Sequence, residues 1–168
     1  MKKQFLLLFL VSNLLLSAQI NDLSLVTNYE TFKLNDTNTI NTYGIKLRIE
    51  GDAFSFSDNI TVNTSLGYKQ GSGIRFIDFD SEVRFYINFD HDPKGFFLAP
   101  SIGLHFFNTE GDLDINSNLK ARAGYRKYIS ESMFIELNGY VGYINLNSFK
   151  QQGGAVLYGL EPSIGIAF

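Results

Sequence analysis

From residue 43 onward the chain alternates apolar and polar residues with a period of two, the spacing of a strand whose two faces meet different surroundings. The clearest stretch sets Ile77, Phe79, Val83, Phe85, Ile87 and Phe89 against Asp78, Asp80, Glu82, Arg84, Tyr86 and Asn88, with Ser81 the polar interruption of the first set. Next come Phe96, Leu98, Pro100, Ile102, Leu104 and Phe106 against Ala99, Ser101, Gly103 and His105. Leu119, Ala121, Ala123 and Tyr125 then oppose Lys120, Arg122, Gly124 and Arg126, and Met133, Ile135, Leu137, Val141 and Tyr143 oppose Glu136, Asn138, Tyr140 and Gly142. The last stretch sets Val156, Tyr158, Leu160, Pro162, Ile164, Ile166 and Phe168 against Gly159, Glu161, Ser163, Gly165 and Ala167. Two earlier stretches, around Tyr43–Glu50 and Ile60–Tyr68, follow the same rule. A first strand near Leu23 to Phe32 is blurred by Val26 and Phe32. No segment beyond the first twenty residues shows a helical period, so about eight antiparallel strands are expected.

The contents of the two faces decide what kind of barrel this is. A soluble barrel would turn its apolar parity inward. Here the other parity carries acids and bases in near-equal number: Glu30, Glu50, Asp78, Asp80, Glu82, Glu136 and Glu161 against Lys46, Arg48, Lys69, Arg84, Lys120, Arg122 and Arg126. Small residues (Gly67, Ala99, Gly103, Gly124, Gly142, Gly159, Gly165) are spaced among them, as a narrow interior full of long charged chains requires. The apolar parity concentrates aromatics near strand ends, matching the interfacial girdles of membrane barrels. With both termini in the periplasm, Tyr43, Tyr68, Phe79, Phe106, Tyr143 and Tyr158 fall at the outer rim, and Phe89, Phe96, Tyr125 and Phe168 at the inner one. The fold class expected is all-β: a closed antiparallel up-and-down transmembrane β-barrel. An eight-stranded barrel is only wide enough for side chains to fill it, so the balanced charges read as an ion-paired plug.

The beginning of the chain supports export. Lys2 and Lys3 precede an apolar run from Phe5 to Leu16, broken by Ser12 and Asn13 and followed by Ser17-Ala18-Gln19. That is the form of a secretory signal peptide, and the run is too short for the roughly 20 residues of a membrane-spanning helix. We expect a signal peptide over residues 1–18, cleaved after Ala18, and one barrel domain over residues 19–168. Without Lys2 and Lys3, 12 basic residues face 17 acidic ones. That balance argues against a nucleic-acid partner, which needs a basic surface. The chain has no cysteine, so neither disulfides nor an N-terminal lipid anchor on cysteine enter the picture.

The ending Tyr158-Gly-Leu-Glu-Pro-Ser-Ile-Gly-Ile-Ala-Phe168 and the segment Phe96-Phe-Leu-Ala-Pro-Ser-Ile-Gly-Leu104 after an Asp-Pro-Lys-Gly turn carry a resemblance. The chain resembles the small outer-membrane β-barrel families typified by OmpX and the OmpA membrane domain, in the version found in Bacteroidetes-type bacteria. The resemblance implies a bacterial outer-membrane location among lipid and lipopolysaccharide. It also implies that Tyr158, Ile164, Ile166 and Phe168 form the signal read by the barrel assembly machinery. The expected outer loops, Asn35–Asn41, Gln70–Gly73, Asn108–Asp114 and Asn147–Gly154, are short, which weakens an adhesive role. No domain is expected after the barrel, so peptidoglycan binding is not implied.

Candidate chemistry is sparse. His91 and His105 are the two histidines, and without cysteine they form no metal-ligand set, so neither a metal nor another cofactor is expected. Ser101 and His105 share a parity, with Glu136 or Glu161 able to orient an imidazole, but four positions along a strand are about 13 Å, too far for a nucleophile and its base. Asp112 and Asp114 could take a divalent cation in the third outer loop. The lumen network is expected to comprise Lys46, Arg48, Asp78, Asp80, Glu82, Arg84, Lys120, Arg122, Arg126, Glu136 and Glu161. The function expected is a non-enzymatic, monomeric outer-membrane barrel in envelope structure or surface interaction. The alternatives are a narrow porin-like channel for ions or small solutes, and an enzyme that modifies lipid A.

Overall fold

A computed structural model describes residues 20–34, 38–54, 57–87, 94–109, 112–146 and 153–168. The expected signal peptide, Phe89 and His91 lie outside the described residues. Eight strands form: β1 (Ile20–Lys33), β2 (Thr39–Phe54), β3 (Ser57–Gly71), β4 (Ile74–Ile87), β5 (Gly95–Thr109), β6 (Asp112–Tyr128), β7 (Met133–Leu146) and β8 (Gly153–Ala167). Each pairs antiparallel with its neighbour, and β1 pairs with β8, closing the barrel. Closure is completed beyond β8, where the Phe168 N–H donates to the Asn21 carbonyl at 2.8 Å. A closed sheet has no edge, so backbone groups are satisfied inside the wall.

The strands hold 14 to 17 residues, more than the 9–11 or so needed to cross the hydrocarbon. The barrel therefore continues past the apolar band and takes up residues expected in loops. Asp112 and Asp114 belong to β6, where Asp112 pairs with Thr109 and Asp114 with Phe107. The third outer loop expected over Asn108–Asp114 is thus replaced by strand pairing as far as Thr109 and Asp112. The connection expected over Gln70–Gly73 shrinks to Ser72-Gly73 between the paired Gly71 and Ile74. Both turn residues have positive φ, 48° and 79°, the geometry of a tight hairpin whose twist matches its strands.

The apolar parity faces outward. Leu47, Leu66, Leu119, Leu137 and Leu160 are all exposed, Leu119 by 61%, a belt that a soluble protein would bury. Tyr43, Tyr68, Tyr143 and Tyr158 are exposed toward the end made by the β1–β2, β3–β4, β5–β6 and β7–β8 connections, here called the far end. Phe96, Tyr125 and Phe168 are exposed toward the opposite, terminal end, and the Phe96 and Tyr125 rings lie 4.8 Å apart between centroids. The rims expected at these residues are thus in place; Phe79, expected at the outer rim, is instead half-buried and level with Leu66 of the belt, two residues below the Tyr68–Ile77 pair.

The blurred first strand also has an explanation. Val26 and Phe32 lie on the inward parity and are buried, at 0% and 3% exposure. They break the alternation because the interior is not polar throughout.

Candidate functional site: the filled lumen

Every charged residue expected in the lumen is there. Among the described residues, Lys46, Arg48, Lys69, Arg84, Lys120, Arg122 and Arg126 are buried together with Asp22, Glu30, Glu50, Asp78, Asp80, Glu82, Glu136 and Glu161. Removing ions from water costs several kcal/mol each unless partners surround them. The geometry meets that condition through bridging cations rather than isolated pairs.

The lysines occupy the part of the network nearer the far end. Lys46 Nζ reaches Asp78 and Asp80, each at 2.7 Å, and Glu161 at 2.9 Å. Lys69 bridges Glu30 at 2.9 Å and Asp78 at 3.2 Å, while Lys120 meets Asp80 at 2.8 Å. The Tyr140 hydroxyl donates to Glu30 at 2.6 Å. The arginines lie further toward the terminal end. Arg122 spans Asp80, Glu82 and Glu161 at 3.0, 2.8 and 2.5 Å. Arg48 links Glu161 at 3.0 Å to Glu136 at 2.6 Å. Arg84 joins Glu136 and Glu82, both at 2.6 Å, and Glu50 at 3.3 Å. Arg126 holds Asp22 at 2.5 Å, Glu136 at 2.9 Å and also Glu50.

Arginine faces rest on rings: Arg84 lies 4.3 Å from the Phe97 centroid, Arg126 4.0 Å from that of Phe134, and Arg122 4.7 Å from that of Tyr140. A guanidinium can do this while its edge bonds carboxylates, because it is planar and weakly hydrated. The inward small residues explain how both fit. A side chain at Gly67 would strike Asp78 and Lys46, and one at Gly103 would strike Asp80. At Gly124, Gly159 and Gly165 it would instead strike the rings of Phe97, Tyr140 and Phe134. Three of the seven small residues therefore make room for aromatic rings rather than for charges.

The far end of the lumen is apolar. Phe32, Phe76, Phe107, Ile144, Ala155 and Leu157 form one buried cluster with Tyr140, joined by Leu34, Ile40 and Ile74. This cap is the main feature that reading the sequence missed. Its signal was present in Phe76, Phe107, Ile144 and Leu157, apolar residues on the parity otherwise taken by charge. Asp22 was missed as well, because the first strand was expected to begin at Leu23.

His105 sits where cap and network meet. It is fully buried, its ring 5.0 Å from Phe76, 5.9 Å from Phe32 and 6.0 Å from Phe107, and neither ring nitrogen has a hydrogen-bond partner. Ser101 does not face it; the Ser101 Oγ accepts from Arg122 Nε at 3.2 Å. Asp78, Asp80 and His105 do bring ligand atoms within 4.8 Å of one another. The position among them is already served by Lys46, whose ammonium neutralises both carboxylates at 2.7 Å, so the donor set does not fit a resident cation.

A closed barrel of eight antiparallel strands with an apolar exterior and a charged interior is the architecture of the small outer-membrane barrels. Comparison with known proteins bears this out for the fold. No family model matches the sequence, and no curated protein matches it. Among solved structures, the chain is similar to Neisserial surface protein A, at TM-score 0.67 and 7% identity over 88% of this chain and 96% of that one. It is also similar to Ail, the attachment invasion locus protein of Yersinia pestis, at TM-score 0.54 and 13% identity over 90% and 99% of the two chains. The N-terminal β-barrel domain of Pseudomonas aeruginosa OprF aligns at TM-score 0.51 and 14% identity, over 89% and 100%. The chain thus has the OmpA/OmpX-like fold of small outer-membrane barrels, a likeness of structure alone.

Proposed function

We propose that this protein is a non-enzymatic outer-membrane barrel that contributes to envelope structure or surface interaction and does not conduct. In this reading the signal peptide is removed after Ala18 and the barrel assembly machinery reads Tyr158, Ile164, Ile166 and Phe168. The barrel then stands as a monomer among lipid and lipopolysaccharide with its far end outside. One observation carries the closed-lumen reading: the cross-linked charges are stacked beneath an apolar cap, so an ion crossing the barrel meets both a hydrophobic constriction and an occupied counter-ion lattice. Fifteen charges serving one another leave none poised for a substrate, and Ser101 and His105 are bonded or boxed in separately.

Reconstitution in planar bilayers tests this. The protein should incorporate without a stable unit conductance. A steady conductance step that changes in Arg122→Ala or Glu82→Ala would overturn the plug and favour the channel. Lipid A from cells with wild-type protein and with His105→Ala should give the same mass spectrum; a shifted acyl mass present only with the wild type would establish an enzyme.

A further inference from the structure

Two strand seams in the wall are interrupted in the same way. Along β1–β8 the register runs from Asp22↔Ala167 to Val26↔Ser163 and resumes at Tyr29↔Leu160, leaving Thr27 opposite Pro162 and Asn28 opposite Glu161 without ladder pairing. Along β4–β5 pairing stops after Glu82↔Ser101 and resumes at Phe85↔Leu98, leaving Val83 opposite Pro100. Register does not slip at either place. Proline has no N–H to donate, and both prolines keep their pairing on the other side, Leu137↔Pro162 and Pro100↔Ala121.

The two interruptions differ in what faces the lipid. At β4–β5 the depression is about 210 Å³. At β1–β8 it is about 750 Å³, floored by Thr27 and Gly44 and walled by Ile45, Leu137, Leu160 and Pro162. The Thr27 hydroxyl, on the outer face, is engaged across the seam, donating to the Pro162 carbonyl at 3.4 Å. The floor therefore offers hydrocarbon rather than a free polar group. Toward the far end the depression is bordered by Tyr29, Tyr43 and Tyr68, with Gln70 Nε2 donating to the Tyr43 hydroxyl at 3.3 Å. Tyrosines with an apolar body and a polar tip mark the level of lipid headgroups.

We propose that the β1–β8 seam is a seat for one bilayer lipid, an acyl chain lying over Thr27 between Ile45 and Leu160 and its polar linkage meeting the tyrosine rim. This rests on the membrane reading above and sharpens it from a uniform lipid belt to a particular site. Three features favour a lipid over other occupants. The depression is continuous with the exposed apolar belt. It presents no charge to a polypeptide or a free anion. It is also concave, whereas the wall of a second barrel is convex.

Native mass spectrometry of the detergent-solubilised barrel with added dimyristoyl phosphatidylethanolamine tests the seat. Wild-type protein should retain one lipid after detergent is stripped. Thr27→Leu, which fills the floor, should lower that bound fraction about tenfold. Thr27→Val, which keeps the volume, should leave it unchanged, as should Ile102→Phe in the smaller depression. Equal retention by wild type and Thr27→Leu would overturn the seat. So would equal loss in Thr27→Leu and Ile102→Phe, or the absence of a retained lipid in the wild type. Should Thr27→Leu fail to fold, shown by loss of the mobility shift on boiling, Tyr43→Ala takes its place with the same expectation. Failure of the membrane reading itself would look different: the wild-type protein would stay in solution without detergent.

Discussion

The two ends of the lumen solve one packing problem with opposite chemistry. Toward the terminal end, four arginines and their carboxylates fill the space, and aromatic rings serve as platforms for guanidinium faces. Toward the far end, rings pack on rings, Phe76 on Phe107 at 4.6 Å and on Phe32 at 5.9 Å, and the cation over Phe76 is a lysine, Lys69, at 5.7 Å. On β2 and β6, which both run from the far end to the terminal end, lysine precedes arginine: Lys46 before Arg48, Lys120 before Arg122. A compact ammonium suits the border with the apolar cap, whereas a fork that must span three carboxylates suits the middle of the lattice. The difference teaches that the lumen is closed by a cap and cross-braced by a lattice, and that losing one part should not resemble losing the other.

The largest effect should come from the lattice. Glu136 accepts from Arg48, Arg84 and Arg126, so Glu136→Leu leaves three buried guanidiniums short of a partner. Breaking a buried pair costs about 3–5 kcal/mol, and urea unfolding in lipid vesicles should show at least that loss. A change under about 1 kcal/mol would mean that water enters the terminal half and solvates the arginines.

Phe76→Ala comes next. It removes the ring that touches Phe32, Phe107 and His105, and large-to-small core substitutions of this kind cost about 3 kcal/mol or more. Its second readout separates cap from lattice. Transient current openings in planar bilayers should appear with Phe76→Ala and remain absent with Phe97→Ala, whose ring lies at the terminal end under Arg84. Openings with both variants would make the cap no more important than any other ring.

How much of this could be read in the chain follows from what alternation reports. A period of two separates faces, so the charged positions from Lys46 to Glu161 were legible as one interior set, and the aromatic rims followed from the other parity. Alternation is silent about height along the barrel, because that depends on how far each strand is sheared against the next. Phe32, Phe76, Phe107, Ile144 and Leu157 come from five strands and meet only after closure. In the sequence each looked like a local fault in the pattern, as Val26 and Phe32 did in β1. Partner choice is not set by neighbouring strands alone: Asp78 meets Lys69 on the adjacent β3 at 3.2 Å, but its shorter contact is with Lys46 on β2, two strands away. The strand ends were misjudged where Asp112 and Asp114 extend β6, since polar residues at a barrel rim resemble a loop.

A smaller effect is expected at the border between the two regions. Lys120→Met removes the 2.8 Å contact to Asp80, yet Asp80 keeps Lys46 and Arg122. A charged acceptor that retains two donors is not orphaned, so the loss should be about 1–2 kcal/mol in the same unfolding experiment. A loss equal to that of Glu136→Leu would show that the lysine tier is as indispensable as the arginine lattice and would erase the distinction drawn between them.

The smallest effect should come from His105→Phe, the substitution that decides to which region the histidine belongs. By position it could be counted with the lattice, since Asp78 and Asp80 lie close by. By contact it belongs to the cap, boxed by three phenylalanines with both ring nitrogens unbonded. Replacing a polar ring that makes no hydrogen bond by an apolar ring of similar size gives up nothing electrostatic, and volume-conserving swaps in a core cost less than about 1.5 kcal/mol. Stability should therefore hold or rise, and the conductance of the reconstituted protein should stay at its wild-type level. A loss approaching that of Glu136→Leu would place His105 in the lattice, and would mean that its ring serves Asp78 or Glu30 in a way the present geometry does not require.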